Sequence, residues 1–173
     1  VDRGDRFVRD VLDNSGFHVV VGVNGSGRTA VLDAIAASAG AYTGAIADAP
    51  SGAIVLVDDA HLLLEHRVDE IAAAATRSDI TLVVATAPRK FDSRIEKLIA
   101  SAGPARLTLV PLDKKSIAAR SAATARPLST ALAGAIAKST GGVLAAVDAA
   151  LTALGGDRPD PAPLRVVTES VAE

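Results

Sequence analysis

A glycine-rich segment, Gly22 to Thr29, has the spacing of a phosphate-binding loop. It follows a β-branched apolar run at residues 19–21 and precedes an apolar-periodic segment that begins at Ala30. This order predicts a strand, a loop and a helix. The backbone N–H groups of such a loop form a concavity for anions, and the helix N-terminus adds partial positive charge. We therefore predict that nucleotide phosphates contact Gly22, Asn24, Gly25, Ser26 and Gly27. The alternative is a glycine-rich turn in an α/β protein that binds no nucleotide.

The last two residues of this loop carry the side-chain chemistry. Thr29 places a hydroxyl where it can bind Mg²⁺. Arg28 stands at the position where the motif has lysine, and its guanidinium is a bulky planar fork rather than a compact ammonium. We expect both residues to contact the nucleotide, and the substitution predicts weak or no hydrolysis.

An acidic pair, Asp58-Asp59, follows the continuous apolar run at residues 53–57. Such a run is typical of a parallel strand buried on both faces. Ligands of open parallel sheets bind beyond the carboxyl ends of the strands, so the pair is expected at the same sheet edge as the glycine loop. Asp58 is the predicted Mg²⁺ ligand. Asp59 is either a catalytic residue that orients the attacking water or the N-cap of the next helix, and the two roles are compatible.

Polar residues also follow the next predicted strand, residues 80–85. Thr86 is placed to sense a γ-phosphate, and Arg89 to stabilise charge on a transferring phosphoryl group. An ordinary solvated charge is the alternative for Arg89. Arg126, before a proline, is a weaker candidate for reaching the nucleotide from the opposite side. His61 and His66 are five residues apart, which favours solvated or capping roles over a metal site.

The composition of the 173-residue chain excludes several classes of function. There is no cysteine, so disulfides and thiol chemistry are absent. A net charge of -2 and an aromatic content of 2% argue against direct contact with nucleic acid. No apolar run approaches the roughly 18 residues of a membrane span. The chain begins with Val and a charged segment, which indicates a piece of a longer, cytoplasmic protein.

The hydrophobic patterning predicts an α/β fold in which strands alternate with helices around a short parallel sheet in three layers. We assign residues 1–111 to this core, 112–154 to a small all-helical lid, and 155–173 to a linker or the start of a following region. Strands are expected at 17–21, 53–57, 80–85 and 106–110, with a brief additional strand at 45–47. A helix is expected from the end of the glycine loop to about residue 38. Further helices are expected at 5–13, 62–77, 92–101, 113–125, 128–138 and 141–154.

Taken together, these segments resemble the AAA+/STAND class of P-loop NTPases. The phrase Leu56-Val57-Asp58-Asp59-Ala60-His61-Leu62-Leu63 is particularly similar to the ATPase modules of LuxR-type (MalT-like) transcription regulators, and the alanine-rich style resembles actinobacterial proteins. The resemblance implies a switch in which ATP or ADP, with Mg²⁺, binds between core and lid. It also implies self-association and a DNA-binding domain elsewhere in the full protein.

Two departures from that family bear on function. Arg28 replaces its lysine, and residues 41–52 are too few for the strand and helix that the family places before the acidic strand. Both favour a nucleotide-binding regulatory module with weak or no ATPase activity. The alternatives are a degenerate P-loop scaffold that binds a protein or another effector, and a free-standing ATPase.

Overall fold

A computed structural model describes residues 3–88, 94–123 and 127–154. Its four strands are β1 (Gly16–Val21), β2 (Ile54–Val57), β3 (Thr81–Thr86) and β4 (Ala105–Thr108). They form one sheet in the order β2-β3-β1-β4, and every neighbouring pair is parallel. The predicted α/β fold is therefore confirmed.

Seven helices accompany these strands within the described residues. They are α1 (Arg3–Asp13), α2 (Arg28–Ala39), α3 (Glu65–Ala75), α4 (Arg94–Ala102), α5 (Lys114–Ala122), α6 (Thr130–Thr140) and α7 (Leu144–Ala153). Short 3-10 turns lie at Ile46–Asp48 and Ala60–Leu62. None of the helices in this part of the chain is long and apolar enough to cross a membrane.

The central strands carry apolar runs, residues 19–21 and 82–85, because helices cover both faces of the sheet. Val19 and Val84 belong to one buried cluster together with residues of α3 and α4. Val20 and Val83, their neighbours along the strands, belong to a second cluster with residues of α1 and α2. Since successive side chains of a strand point to opposite faces, this alternation produces the three layers that the sequence predicts.

Two local expectations are wrong. Residues 45–47 do not form a strand: Ile46 begins a 3-10 turn, and only an isolated bridge from Tyr42 to Val55 extends the sheet. The helix expected from residue 62 begins at Glu65, and Leu62 is 65% exposed rather than turned inward. The apolar sequence continues through the 3-10 turn, so periodicity alone does not mark the start of the helix.

The three C-terminal helices enclose a small cluster of their own, with Ile117 and Val147 fully buried. Asp113 caps α5 by accepting the Ser116 N–H over 2.7 Å, and this bond lowers the pKa of the Asp113 carboxyl. Arg120 of α5 donates two hydrogen bonds to Asp148 of α7. The segment predicted as a lid is thus helical and internally packed. Residues 155–173, predicted as a linker, lie outside the described residues.

Candidate phosphate and magnesium site

The glycine loop occupies the bend from β1 to α2. The Gly22 N–H continues the sheet by donating to the Thr86 carbonyl oxygen over 3.1 Å. The backbone then turns, with the Ser26 N–H donating to the Val23 oxygen, and Gly27 enters α2 in the left-handed conformation at φ 99°. A residue with a side chain is strained there, so the glycine is required by the turn.

The start of α2 presents backbone N–H groups in the position that the motif assigns to an anion site. The first N–H groups of a helix have no intrahelical acceptor, and the cap residue Gly27 offers no side chain to them. They stand beside Asp58 and Asp59, which follow β2. The expected convergence of loop and acidic pair on one sheet edge is therefore observed, while the roles of these residues stay predictions.

Thr29 and Asp58 are the first pair that this convergence brings together. The Thr29 hydroxyl donates to Asp58 Oδ2 over 2.6 Å at the protein surface. Adjacent ligands of an octahedral Mg²⁺ with bonds of about 2.1 Å are roughly 3 Å apart, so a small widening would fit both oxygens to the ion. Within the described ranges no three His, Asp or Glu side chains gather into a metal cage. The donor set fits Mg²⁺, which takes one or two protein oxygens and completes its shell with phosphate and water.

Arg28 and Asp59 form the second pair, and this contact differs from what the motif predicts. Arg28 is 8% exposed, and its Nη1 donates to the Gly22 carbonyl oxygen over 2.9 Å. Its Nη2 donates to Asn24 Oδ1 over 3.2 Å and to Asp59 Oδ1 over 2.5 Å. The guanidinium is thus turned back toward the loop and the acidic pair and bonded to both.

Asp59 does not cap the next turn with its side chain. Only its backbone oxygen accepts the Leu62 N–H, over 2.8 Å, while its carboxylate pairs with Arg28. Asp59 has φ 47° and ψ 39°, the left-handed region that residues other than glycine seldom adopt. Asp59 therefore occupies the N-cap position of this 3-10 turn, as considered, but without a side-chain capping bond.

Sequence reasoning missed the role of His61, whose side chain is 7% exposed rather than solvated. Its Nδ1 accepts the Ala87 N–H over 3.2 Å and lies 3.9 Å from Asp59 Oδ1. Because Nδ1 accepts this hydrogen bond, it carries no hydrogen of its own, and the longer contact with Asp59 is not an ion pair. His61 thereby joins the end of β2 to the end of β3. Its place two residues after the acidic pair was the available signal.

The remaining predicted site residues make no hydrogen bond to the Thr29–Asp58 or Arg28–Asp59 pairs within the described residues. Thr86 is 2% exposed, and its hydroxyl lies 3.4 Å from the Ala87 oxygen rather than bonding to Asp58 or Asp59. The Ser26 hydroxyl oxygen is buried and has no hydrogen-bond partner among the residues that the structure describes. It lies in the loop beside a cavity that the β4–α5 connection and the α6–α7 turn also line. Arg89 and Arg126 fall outside the described residues.

The helical segment contacts the loop at Gly25, another feature that the sequence did not indicate. The Gly25 oxygen accepts the Ala145 N–H over 3.0 Å. Val143, the cap residue of α7, supplies no side-chain hydrogen bond, so the loop satisfies one of the amides that a helix start leaves unpaired. The α6–α7 turn is therefore attached to the glycine loop.

We expect Gly25→Ala to weaken this attachment. A Cβ there would lie 3.0 Å from Val143 Cγ1 and 3.3 Å from Ala145 Cβ, and φ is +77°. The free energy of unfolding should fall by about 2–4 kcal/mol, from strain and crowding together. In hydrogen exchange, the Ala145 amide should lose protection.

Gly52→Ala is the matched control, because Gly52 has φ +81° and nothing within 4 Å of an added Cβ. It should cost about 1–2 kcal/mol from backbone strain alone. Equal protection of the Ala145 amide in both variants would contradict the contact at Gly25.

Comparison with known proteins finds similar solved structures but no similar sequence. No protein-family model matches the chain, and no curated protein matches it. Among solved structures it is similar to the Bacillus subtilis DNA clamp loader delta protein, with 12% identity and a TM-score of 0.49. The match covers 90% of this chain and 59% of that protein, so the chain corresponds to part of its length.

Proposed function

We propose that the chain is a nucleotide-binding regulatory module of a larger signalling or transcription-regulatory protein. Its ligands are ATP or ADP with Mg²⁺. The hydrogen bond from Thr29 to Asp58 carries this proposal, because it sets a hydroxyl and a carboxylate side by side at the anion-binding start of α2. When bound, the ion would neutralise phosphate charge, and Thr29 and Asp58 would hold it.

The contact between Gly25 and α7 supports a regulatory role. In this proposal residues 1–111 are the core and 112–154 the lid, and the lid rests on the loop that binds phosphate. A ligand that changes the loop therefore changes how the lid docks. Self-association, and communication with a DNA-binding domain elsewhere in the full protein, are the proposed outputs. Thr86, with Arg89 and Arg126 outside the described residues, would contact the nucleotide.

The contacts of Asp59 support weak or no hydrolysis. A catalytic carboxylate must be within hydrogen-bond reach of the attacking water. Here Asp59 Oδ1 is bonded to Arg28, and the backbone at Asp59 is held in the left-handed region. A compact lysine ammonium would be free to follow the phosphates, whereas the guanidinium of Arg28 is bonded at three points.

Calorimetric titration with ATP and with ADP, with and without Mg²⁺, tests the proposal. We expect binding that depends on Mg²⁺ and a raised melting temperature. Thr29→Val should weaken Mg²⁺-dependent binding roughly tenfold, the effect of losing one bond to a charged group. Thr76→Val is the control, because the Thr76 hydroxyl donates to a carbonyl in its own helix, away from the site. Unchanged heats and melting temperature at millimolar nucleotide would reject the proposal.

A second candidate is a P-loop scaffold that binds a protein or another effector without nucleotide. The observation in its favour is the guanidinium of Arg28, which lies back against Gly22 and Asp59. The same titration separates the candidates, since no nucleotide binding in any variant is the result that this scaffold requires. Steady phosphate release that Asp58→Ala abolishes would instead establish an ATPase.

A further inference from the structure

We infer that Asp59 is the resident anion of the phosphate site and that a ligand phosphate must displace it from Arg28. This inference rests on the proposed function and specifies how the same site is regulated. Asp59 would then act first as an internal competitor of the ligand, which is a different role from the catalytic one that its position suggests.

The N–H donors of Arg28 show why the Asp59 carboxylate and a ligand phosphate compete. A guanidinium has five N–H donors, two of them on Nη2. Both Nη2 donors are used, one by Asn24 Oδ1 and the other by Asp59 Oδ1. A phosphate oxygen that approaches Nη2 therefore finds no donor there until the carboxylate leaves.

The exposed fractions show which partner moves. The Arg28 side chain is 8% exposed, whereas that of Asp59 is 50% exposed. Arg28 is also anchored to the Gly22 carbonyl oxygen inside the protein. The carboxylate can turn into water with little loss of solvation, and the guanidinium cannot. Arg28 is thus the fixed half of the pair and Asp59 the displaceable half.

Asp58 connects this exchange to the predicted metal site. Its Oδ1 accepts the Asp59 N–H over 2.7 Å, while its Oδ2 accepts the Thr29 hydroxyl. An ion held by Thr29 and Asp58 would therefore contact a carboxylate that is itself hydrogen-bonded to the Asp59 N–H. The site contains the negative charges of Asp58 and Asp59 and the positive charge of Arg28. The Asp59 carboxylate therefore also repels a phosphate.

Asp59→Asn in the 173-residue chain tests the inference, with Mg²⁺-ADP and inorganic pyrophosphate as titrants in calorimetry. Asparagine keeps the shape, removes the charge and tolerates the left-handed backbone. We expect affinity for both titrants to rise at least tenfold. Asp59→Gly is the second variant, because glycine adopts φ 47° without strain and removes the carboxylate altogether.

Glu70→Gln is the matched control. It removes one negative charge from the surface ion pair of Arg67 and Glu70, so it reproduces the change in net charge alone. Its affinity for ADP should equal that of the unaltered chain.

The outcomes separate this inference from the proposed function. If the unaltered chain binds Mg²⁺-ADP and neither Asp59 variant binds it more tightly, the inference is wrong and the proposed function stands. If only the Asp59 variants bind, the carboxylate closes the site: the inference is supported, and nucleotide binding by the unaltered chain is rejected. Absence of binding in all of them rejects both.

Discussion

Gly142→Ala should lower the free energy of unfolding by about 2–5 kcal/mol, the sum of left-handed strain and overpacking. Gly142 has φ +69°, and an added Cβ would lie 2.4 Å from the Leu112 oxygen and 2.8 Å from its nitrogen. Both are backbone atoms, so neither can swing away as a side chain does. At this close approach the Leu112 N–H also donates a hydrogen bond to the Gly142 oxygen, over 2.7 Å.

The neighbouring glycine provides the control for this prediction. Gly141 has φ +61° and nothing within 4 Å of an added Cβ. Gly141→Ala should therefore cost about 1–2 kcal/mol from strain alone. Urea denaturation of the two variants gives the difference, and equal losses would show that the approach of Leu112 to Gly142 is not tight in solution.

The α6–α7 turn matters because it contacts both the glycine loop and the connection from β4 to α5. On one side Gly142 contacts the connection from β4 to α5, and on the other Ala145 donates to Gly25 of the glycine loop. The buried Ser26 hydroxyl lies in the same loop, beside the cavity between these segments. Loosening the turn should change the position of α7 and the shape of the glycine loop together.

The sheet could be predicted from the sequence because its strands leave strong local signals. The runs at residues 19–21 and 82–85 are apolar at successive positions, which is typical of a strand covered on both faces. Helices expected after each strand then imply parallel crossovers, and the carboxyl ends of the strands meet at one edge. The approach of Thr29 to Asp58 follows from this topology.

The direction of the Arg28 side chain could not be predicted in the same way. Position 28 in the motif indicates a cation at the phosphates, but the length of arginine also lets it reach back to Gly22 and across to Asp59. The choice depends on where Asp59 lies in space, 31 residues later in the chain. The bond from Ala145 to Gly25 depends on a still longer separation, and no local pattern marks it.

Ile117→Ala should destabilise the helical segment by about 2–5 kcal/mol through lost burial and the cavity that remains. Ile117 is fully buried in a cluster of five buried residues, in which two others are an alanine and a valine. Because the cluster is small, few other side chains can replace the contacts that Ile117 makes. If residues 112–154 are a lid that unfolds as a unit, hydrogen exchange should increase throughout α5, α6 and α7 while β1 and β3 stay protected.

Two further variants decide whether the lid is a separate unit. Ile71 is also fully buried, but in the cluster that lines the sheet, so Ile71→Ala should reduce protection in the strands. Leu132→Ala, at a side chain 40% exposed on α6, should change stability by less than about 1 kcal/mol. If Ile117→Ala exposes the amides of β1 as much as those of α5, the core and lid unfold together. The contacts of α7 with Gly25 would then belong to one cooperative structure, and lid movement would require changes in the sheet as well.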